Sequence, residues 1–292
     1  MRSLGISTGK SRLSPYIKSG KVSWRKLLAK LTEFTVADIK YADYIALPRD
    51  EQADIKDVGY FIGGKFNSNT RKKDKLAYRS VITLDIDHLD AWDLTDGEEQ
   101  SSIGDSYDSY EYVVHSTAKH SAASPRLRLV FPLSRNVTPD EYEPLARIIA
   151  NELGMDVFDD TTFQPARIMF WPCITSDGNR YMEHNLNDFI DPDEWLGKYK
   201  DWQDFAAWPH SSRVEAMTHA GAVSVEDPLT KPGIIGAFCR TYDIHAAIVH
   251  FELPYETTEH DNRYRPVDAT GPSGAVVYDE GLFMYSHHES DP

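Results

Sequence analysis

Apolar and polar positions alternate with period two in several stretches of this chain. The clearest are YRSVITLDIDHL (78–89), YEYVVHST (110–117) and PRLRLVFPLS (125–134). Such alternation predicts strands with one face on a core. DVGYFIGGKF (57–66) predicts a strand running into a Gly-Gly turn, and ARIMFWP (166–172) a short buried strand closed by Pro172. Helical spacing appears in 23–34, where Trp24, Leu27, Leu28 and Leu31 form one stripe. It returns in 138–155, with Thr138 as N-cap, Pro139 in the first turn, Glu141 at the capping-box position, and Ile148, Ile149 and Leu153 on the apolar face. Residues 191–209 predict an amphipathic helix or pair of helices ended by Pro209. The acidic stretch 91–110 reads as a helix or long loop, and Tyr107, Tyr110 and Tyr112 read as parts of a surface loop. A linker is expected at 211–230. Beyond it, 231–292 predicts a small, mostly helical module, in which Pro232 opens one helix and Asp243 caps a second, before a tail of short strands and turns. Strands and helices in this order within 57–172 predict an α+β fold, its sheet covered by helices.

Composition narrows the function. Among 292 residues, 41% are hydrophobic, enough for a sizeable core, and no apolar run reaches the roughly 18 residues of a membrane span. The basic N-terminus lacks the apolar centre of a secretory signal. Only Cys173 and Cys239 are present, too few for a zinc ribbon or a disulfide framework; a reducing cytoplasm is the natural compartment. A net charge of −15 argues against indiscriminate binding to nucleic acid. The charge is polarised, however: residues 1–31 hold eight Lys or Arg and no acid, and further basic runs cover 65–79 and 119–135. Each run alone reads as a solvated face. Three of them around one acidic strand end suggest more.

That strand end is LDID. Asp85 and Asp87 at i, i+2 share a face with Cα atoms ~7 Å apart, a spacing that suits a hard cation such as Mg²⁺ or Mn²⁺. D-x-D alone is a weak signal. The loop and strand after it add His115, Ser116, Lys119, His120, Arg126 and Arg128, a set of hydroxyls and cations able to cradle a triphosphate. The alternative is a solvent-facing strand with His120 in a turn. FDDTTFQPARIMFWP then supplies Asp159, Asp160 and Arg167. A third carboxylate would complete a two-metal site; the plainer reading is an Asx turn.

The ordered set LDID, STAKHS…PRLRLVFPL and FDDTTFQPARIMFWP resembles the core of archaeo-eukaryotic-type primases. More narrowly, it resembles the primase-polymerase domain of phage and prophage replication proteins of the virulence-associated E kind. The resemblance covers residues 55–210, and PGIIGAFCRTYDIHAAIVHF is similar to the primase C-terminal helical module. It implies an RNA-recognition-motif-like mixed or antiparallel sheet flanked by helices, within a catalytic domain at 1–210. It also implies a nucleotidyltransferase that makes primers on a single-stranded DNA template from NTP or dNTP, in the cytoplasm of a bacterial host. Asp85, Asp87 and Asp159 (alternatively Asp160) match the metal ligands, for Mg²⁺ or Mn²⁺ with no zinc. His120 matches the histidine of the second motif, with His115 as competitor. Ser116, Lys119, Arg126, Arg128 and Arg167 fit nucleotide contacts. A superfamily 3-type helicase domain, fused C-terminally or in trans, is the implied partner.

Two other classes stay in view. A metal-dependent nuclease or replication initiator would also use Asp and His, but the rolling-circle type needs alternating histidines, and His287 and His288 are adjacent. A non-catalytic single-strand-binding module would display aromatics where this sheet carries Asp and Arg.

Overall fold

The first of two units, residues 1–200 with 208–212, consists chiefly of strands formed by the period-two pattern. The computed structural model describes residues 2–89, 102–204, 207–214, 228–258, 262–267, 274–278 and 281–286. A hairpin of β1 (Ser3–Gly9) and β2 (Lys18–Ser23) leads into α1 (Trp24–Leu31), which buries Trp24, Leu27 and Leu31, the stripe expected from spacing. After β3 (Thr35–Ala37), α2 (Tyr41–Ala46) and α3 (Arg49–Ile55) come β4 (Tyr60–Ile62) and β5 (Gly64–Phe66).

The Gly-Gly between these strands is not the expected turn. It is a corner where the chain passes from one sheet to another. A Cβ on Gly63 would stand 2.7 Å from the Val81 side chain, and one on Gly64 would stand against the Tyr78 carbonyl. Only glycines let β5 lie this close to its neighbour.

That neighbour is β6 (Leu76–Ile86). Next come α4 (Ser102–Tyr107), β7 (Tyr112–Ser116), β8 (Leu127–Val137) and α5 (Pro139–Asn151). The expected capping box holds at α5: the Glu141 amide donates to Thr138 Oγ1, and the Thr138 amide donates to the Glu141 carboxylate. β9 (Met169–Phe170), β10 (Cys173–Thr175), β11 (Met182–Asn185) and α6 (Pro192–Leu196) complete the unit. The helix expected over 191–209 is much shorter, running from the Asp191 cap to Gly197.

The strands make an antiparallel sheet in the order β11-β7-β8-β6-β5, a second antiparallel sheet, β2-β1-β4-β9, and a parallel pair, β10-β3. The fold is α+β, with antiparallel sheets flanked by helices. On one face of the five-stranded sheet, Val81, Val113 and Val130 pack with Leu4, Ile6 and Phe61 of the second sheet and with α1. Each such buried aliphatic side chain contributes about 1.5–3 kcal/mol. On the other face, Phe131 meets Tyr107 of α4 edge-on at 5.0 Å, and the Tyr107 hydroxyl donates to the Ile149 carbonyl of α5. Tyr107 and Tyr112 are therefore core residues, not members of a surface loop. The second sheet was not anticipated.

The second unit comprises residues 201–207 and 213–292. It contains α7 (Gly233–Thr241), α8 (Ile244–His250), β12 (Tyr255–Thr257), β13 (Arg263–Pro266), β14 (Ala275–Tyr278) and β15 (Phe283–Ser286). Pro232 precedes α7, and Asp243 caps α8 by accepting from the Ala246 amide at 2.7 Å. Among the described residues the four strands form one antiparallel sheet in sequence order, with α8 packed on it, so the module expected to be mostly helical carries a sheet as well. Ile248 is buried against that sheet, whereas Phe238 is 42% exposed. Residues 215–227 of the expected linker, and His287 and His288, lie outside the described residues.

Candidate active site

Three strands set one row of charged side chains. Asp85 on β6, Arg128 on β8 and His115 on β7 stand directly opposite one another in the sheet register. They share the face of Val81, Val130 and Val113 by alternation. Along this face an apolar core therefore gives way to a polar row near the strand ends.

Asp159 reaches the row through backbone pairing. Ile86 and Phe158 form an antiparallel bridge, the Asp159 amide donates to the Asp85 carbonyl at 3.0 Å, and the Asp87 amide donates to the Val157 carbonyl at 3.1 Å. The turn 157–159 thus extends the sheet for one step and brings the third acid beside the first two. Thr162 is buried beneath them, its hydroxyl accepting from the Asp85 amide at 2.8 Å.

These residues open on a cavity of about 190 Å³. Of the expected site residues, Asp85, Asp87, Asp159, His115, Lys119, Arg128 and Arg167 line it. Arg128 donates from Nε to Asp85 Oδ1 at 2.7 Å and from Nη1 to the Phe170 carbonyl at 2.6 Å. Arg167 donates from Nη2 to Asp159 Oδ2 at 2.7 Å, and its Nε lies 4.0 Å from Asp85 Oδ2. Asp159 also accepts from the Thr161 amide at 2.9 Å, so the Asx turn and the place in the cavity coexist.

The two acids of LDID differ electrically. Burial pushes the Asp85 carboxyl up, but Arg128, Arg167 and Lys56 together outweigh it and hold it below the usual carboxylate range. Burial raises the Asp87 carboxyl, and the charges of Asp85 and Asp159 raise it further. Negative charge is therefore least compensated at Asp87. All three donors are carboxylate oxygens, which suits a hard divalent ion in kind. Yet among the described residues no three His, Cys, Asp or Glu side chains are gathered closely enough to hold a metal ion. The physical reason is that Asp85 and Asp159 are each turned to an arginine.

The two histidines part company. His115 is 1% exposed, its Nδ1 lies 2.9 Å from the Ser116 carbonyl, and its Nε2 has no hydrogen-bond partner among the described residues. Since a carbonyl only accepts, Nδ1 carries the proton and Nε2 a free lone pair. Burial and the nearby Arg128 bring its pKa down to about 4, so the ring is neutral at pH 7. His120 does not line the cavity. Its Nδ1 accepts from the Arg126 amide at 3.2 Å, which closes the loop between β7 and β8.

Three other expected residues also lie outside the cavity lining. The Ser116 hydroxyl accepts from the Tyr181 amide at 3.1 Å, tying β7 to the segment ahead of β11. Arg126 acts on Asp87 only through its charge. Asp160 accepts from the Ser211 hydroxyl at 2.6 Å, so of the acidic pair it is Asp159 that reaches the cavity.

Sequence reasoning missed Lys56, the residue after α3. Its ammonium lies over the Phe170 ring at 5.4 Å and makes no ion pair within 4.0 Å among the described residues. Burial lowers its pKa, as do Arg128 and Lys119. Nothing in ADIKDVG marks it; only its seat over the Phe170 ring of β9 brings it in. Tyr44, Thr117, Trp171 and Cys173 complete much of the wall. Trp171 stacks on Phe61 at 4.7 Å and also faces the cavity.

No curated protein matches the chain. A solved structure, the AEP domain of the primase-polymerase of cyanophage S-2L, aligns over 67% of this chain and 88% of its own, with 11% identity and a TM-score of 0.33, too low to carry an argument. The model of one family, the VapE N-terminal domain, matches residues 1–211, all but the last residue of the unit that holds the cavity. The chain therefore belongs to the VapE N-terminal domain family.

Proposed function

We propose that the chain is a DNA-dependent primase-polymerase of phage or mobile-element replication, which makes primers on single-stranded DNA by nucleotidyl transfer. The observation that carries this reading is the convergence of Asp85, Asp87 and Asp159 with Lys56, Lys119, Arg128, Arg167 and His115 on one cavity. Membership of the VapE N-terminal domain family agrees with it.

Were Asp85 and Asp159 to turn from their arginines, they and Asp87 would hold a divalent ion, Mg²⁺ or Mn²⁺, which would lower the pKa of an attacking hydroxyl and offset charge on a leaving pyrophosphate. The chain's own residues do the rest. Lys56 and Lys119 bind phosphate oxygens as point charges. Lys56 has no carboxylate of its own, so an incoming triphosphate supplies the anion it lacks. Arg128 and Arg167 hold the carboxylates in place, and each can turn a donor toward substrate as the charge there develops. The neutral His115 accepts through Nε2, so it suits a ribose or primer hydroxyl rather than a phosphate oxygen. That role differs from the phosphate contact the family resemblance implies.

The test is primer synthesis on single-stranded DNA with Mg²⁺ or Mn²⁺ and labelled NTP or dNTP, against the Asp85→Ala/Asp87→Ala variant. Discrete products that vanish in the variant are expected. Nucleotide bound without any product, under either ion and with a helicase partner added, would make the cavity a nucleotide-binding site without transferase activity.

A further inference from the structure

A short two-stranded ribbon lies apart from the cavity and is unexplained by it. Residues 14–18 run antiparallel to 68–72: the Ile17 amide donates to the Asn69 carbonyl and the Arg71 amide to the Pro15 carbonyl, both at 2.8 Å, and Tyr16 bridges Thr70. Alternation fixes which side chains share a face. Ile17 is buried among Tyr60, Ile62, Phe66 and Leu76, and Arg71 lies over the Tyr60 ring. Tyr16, Lys18, Thr70 and Lys72 are therefore on the opposite, outward face. Tyr16 is 67% exposed and both lysines are exposed. Lys18 stands two residues from Tyr16, and Lys72 two residues from its partner Thr70, each step ~7 Å along a strand. A flat ring thus sits between two cations.

The charge around the ribbon is distinct from the rest of the chain. In a protein of net charge −15, neither Lys18 nor Lys72 makes an ion pair with a carboxylate among the described residues. Nearby acids are engaged elsewhere: Asp74 pairs with Lys75, Asp54 pairs with Arg12, and Asp57 accepts from the Ser11 hydroxyl and the Arg12 amide. Lys10 and Lys65 are also exposed. Beneath the ribbon, Tyr60 pairs with Phe170, a wall of the cavity. The ribbon therefore backs the strand pair that forms one side of the candidate active site.

We infer that this ribbon is a binding site for single-stranded nucleic acid, with one base stacked on Tyr16 and flanking phosphates on Lys18 and Lys72. Cations that follow a backbone, together with an aromatic platform, are what sequence-independent strand binding needs. A duplex keeps its bases stacked inside and would leave the ring without a partner. The inference rests on the polymerising role proposed above only for its purpose, which is to hold the template near the cavity.

The test is fluorescence anisotropy of the full chain with labelled 12-nucleotide oligo(dT), oligo(U) and a matched duplex. Lys18→Glu/Lys72→Glu is expected to weaken single-strand binding about tenfold or more, and to reduce the slope of log K against log salt by about 1.4, or 0.7 for each lost phosphate contact. Tyr16→Ala is expected to weaken it about tenfold, with Tyr16→Phe restoring it, since stacking needs the ring and not the hydroxyl. The two oligomers show which sugar is held. Nucleotide binding at the cavity, followed in parallel with a labelled triphosphate and Mn²⁺, should be unchanged in these variants. Wild-type strand affinity in all of them, or equal affinity for the duplex, would overturn the inference and leave the cavity reading standing. Loss of strand binding in the ribbon variants, with no nucleotide bound at the cavity of the wild type, would sustain the ribbon and sink the polymerase.

Discussion

The two ends of β6 bury opposite charges and treat them differently. At one end Arg79 is fully buried, and every nitrogen is occupied. Nε donates to the Gly63 carbonyl, Nη1 to the Pro165 carbonyl, and Nη2 to the Val81 carbonyl, Thr83 Oγ1 and the Tyr142 hydroxyl, while the guanidinium lies 4.0 Å from the Tyr142 ring centre. All these acceptors are neutral, and the network is closed. Six residues along the strand, Asp85 meets two arginines and then opens on a cavity beside Asp87, whose carboxyl pKa its own charge helps to raise. Neutral partners that close a network serve the fold, because nothing is left over for a ligand. Charged partners beside empty space leave an electrostatic imbalance for a ligand to correct. Closure, more than burial or charge, separates the structural network from the functional one.

The sharpest way to break this comparison is to neutralise each end in turn. Asp85→Asn keeps the shape and one acceptor for Arg128, so melting should move by only a few degrees. Primer synthesis should fall by about a thousandfold, the scale of losing one group that stabilises developing charge. Arg79→Met should do the reverse. It takes the Arg79 donors from the Pro165 and Val81 carbonyls, at about 1–3 kcal/mol for each group left unpaired, while Gly63 keeps the Ser80 and Val81 amides. Denaturant unfolding should show a loss of about 3 kcal/mol, with activity per folded molecule retained. If Asp85→Asn unfolds the protein, or Arg79→Met abolishes synthesis without loss of stability, closure is the wrong criterion.

A smaller effect tests the open end from the side of the ligand. Lys56 carries a charge that no carboxylate offsets within 4.0 Å among the described residues. Lys56→Gln should raise KM for nucleotide about tenfold and change kcat less, the mark of an interaction present in both ground and transition states. A fall in kcat at constant KM would place Lys56 on the leaving group instead. An unchanged steady state would remove it from the site.

These contrasts also explain what could be read from the chain alone. Asp85, Arg128 and the strand positions around them were legible because period-two alternation states which side chains share a face. Thr138 and Glu141 were legible because a capping box is local. The VapE resemblance followed from motifs spread over 81–172, and the α+β class from the order of strands and helices within 57–172. Lys56 was not legible, since its place depends on the Phe170 ring, more than a hundred residues later. The choice between His115 and His120 depended on register: a strand residue opposite Arg128 must face the cavity, whereas the second His lies in a loop that folds back on Arg126. The acidic run ahead of Tyr107 suggested a solvated loop, but the contact of its ring with Phe131 overrode that composition. The second sheet was hidden in a Gly-Gly pair that reads as a turn until the neighbouring strand is seen.

A third arginine sets the lower bound of the comparison. Arg135, near the end of β8, is shared by Glu141 at 2.8 Å and Asp193 at 2.6 Å, and its side chain is 33% exposed. Its network is neither closed in the core nor open on a cavity; water competes for each bond. Burial pushes the Glu141 carboxyl up, but Arg135 and the Thr138 amide and hydroxyl outweigh it and leave it below its ordinary value. A carboxyl depressed in the folded state stabilises above its unfolded pKa, and that stability is lost as pH falls through the folded value. Glu141→Gln keeps a capping oxygen at the start of α5 and removes only the charge. It should therefore cost about 0.5 kcal/mol at pH 7, the scale of a partly exposed ion pair. The gap between variant and wild type should close as pH drops through the lowered folded value, where the wild-type carboxyl also becomes neutral. Melting curves of the two proteins from pH 7 to pH 3 measure this directly. A gap that persists at pH 3 would mean that the amide fails as a cap, and that geometry rather than charge holds this end of the helix.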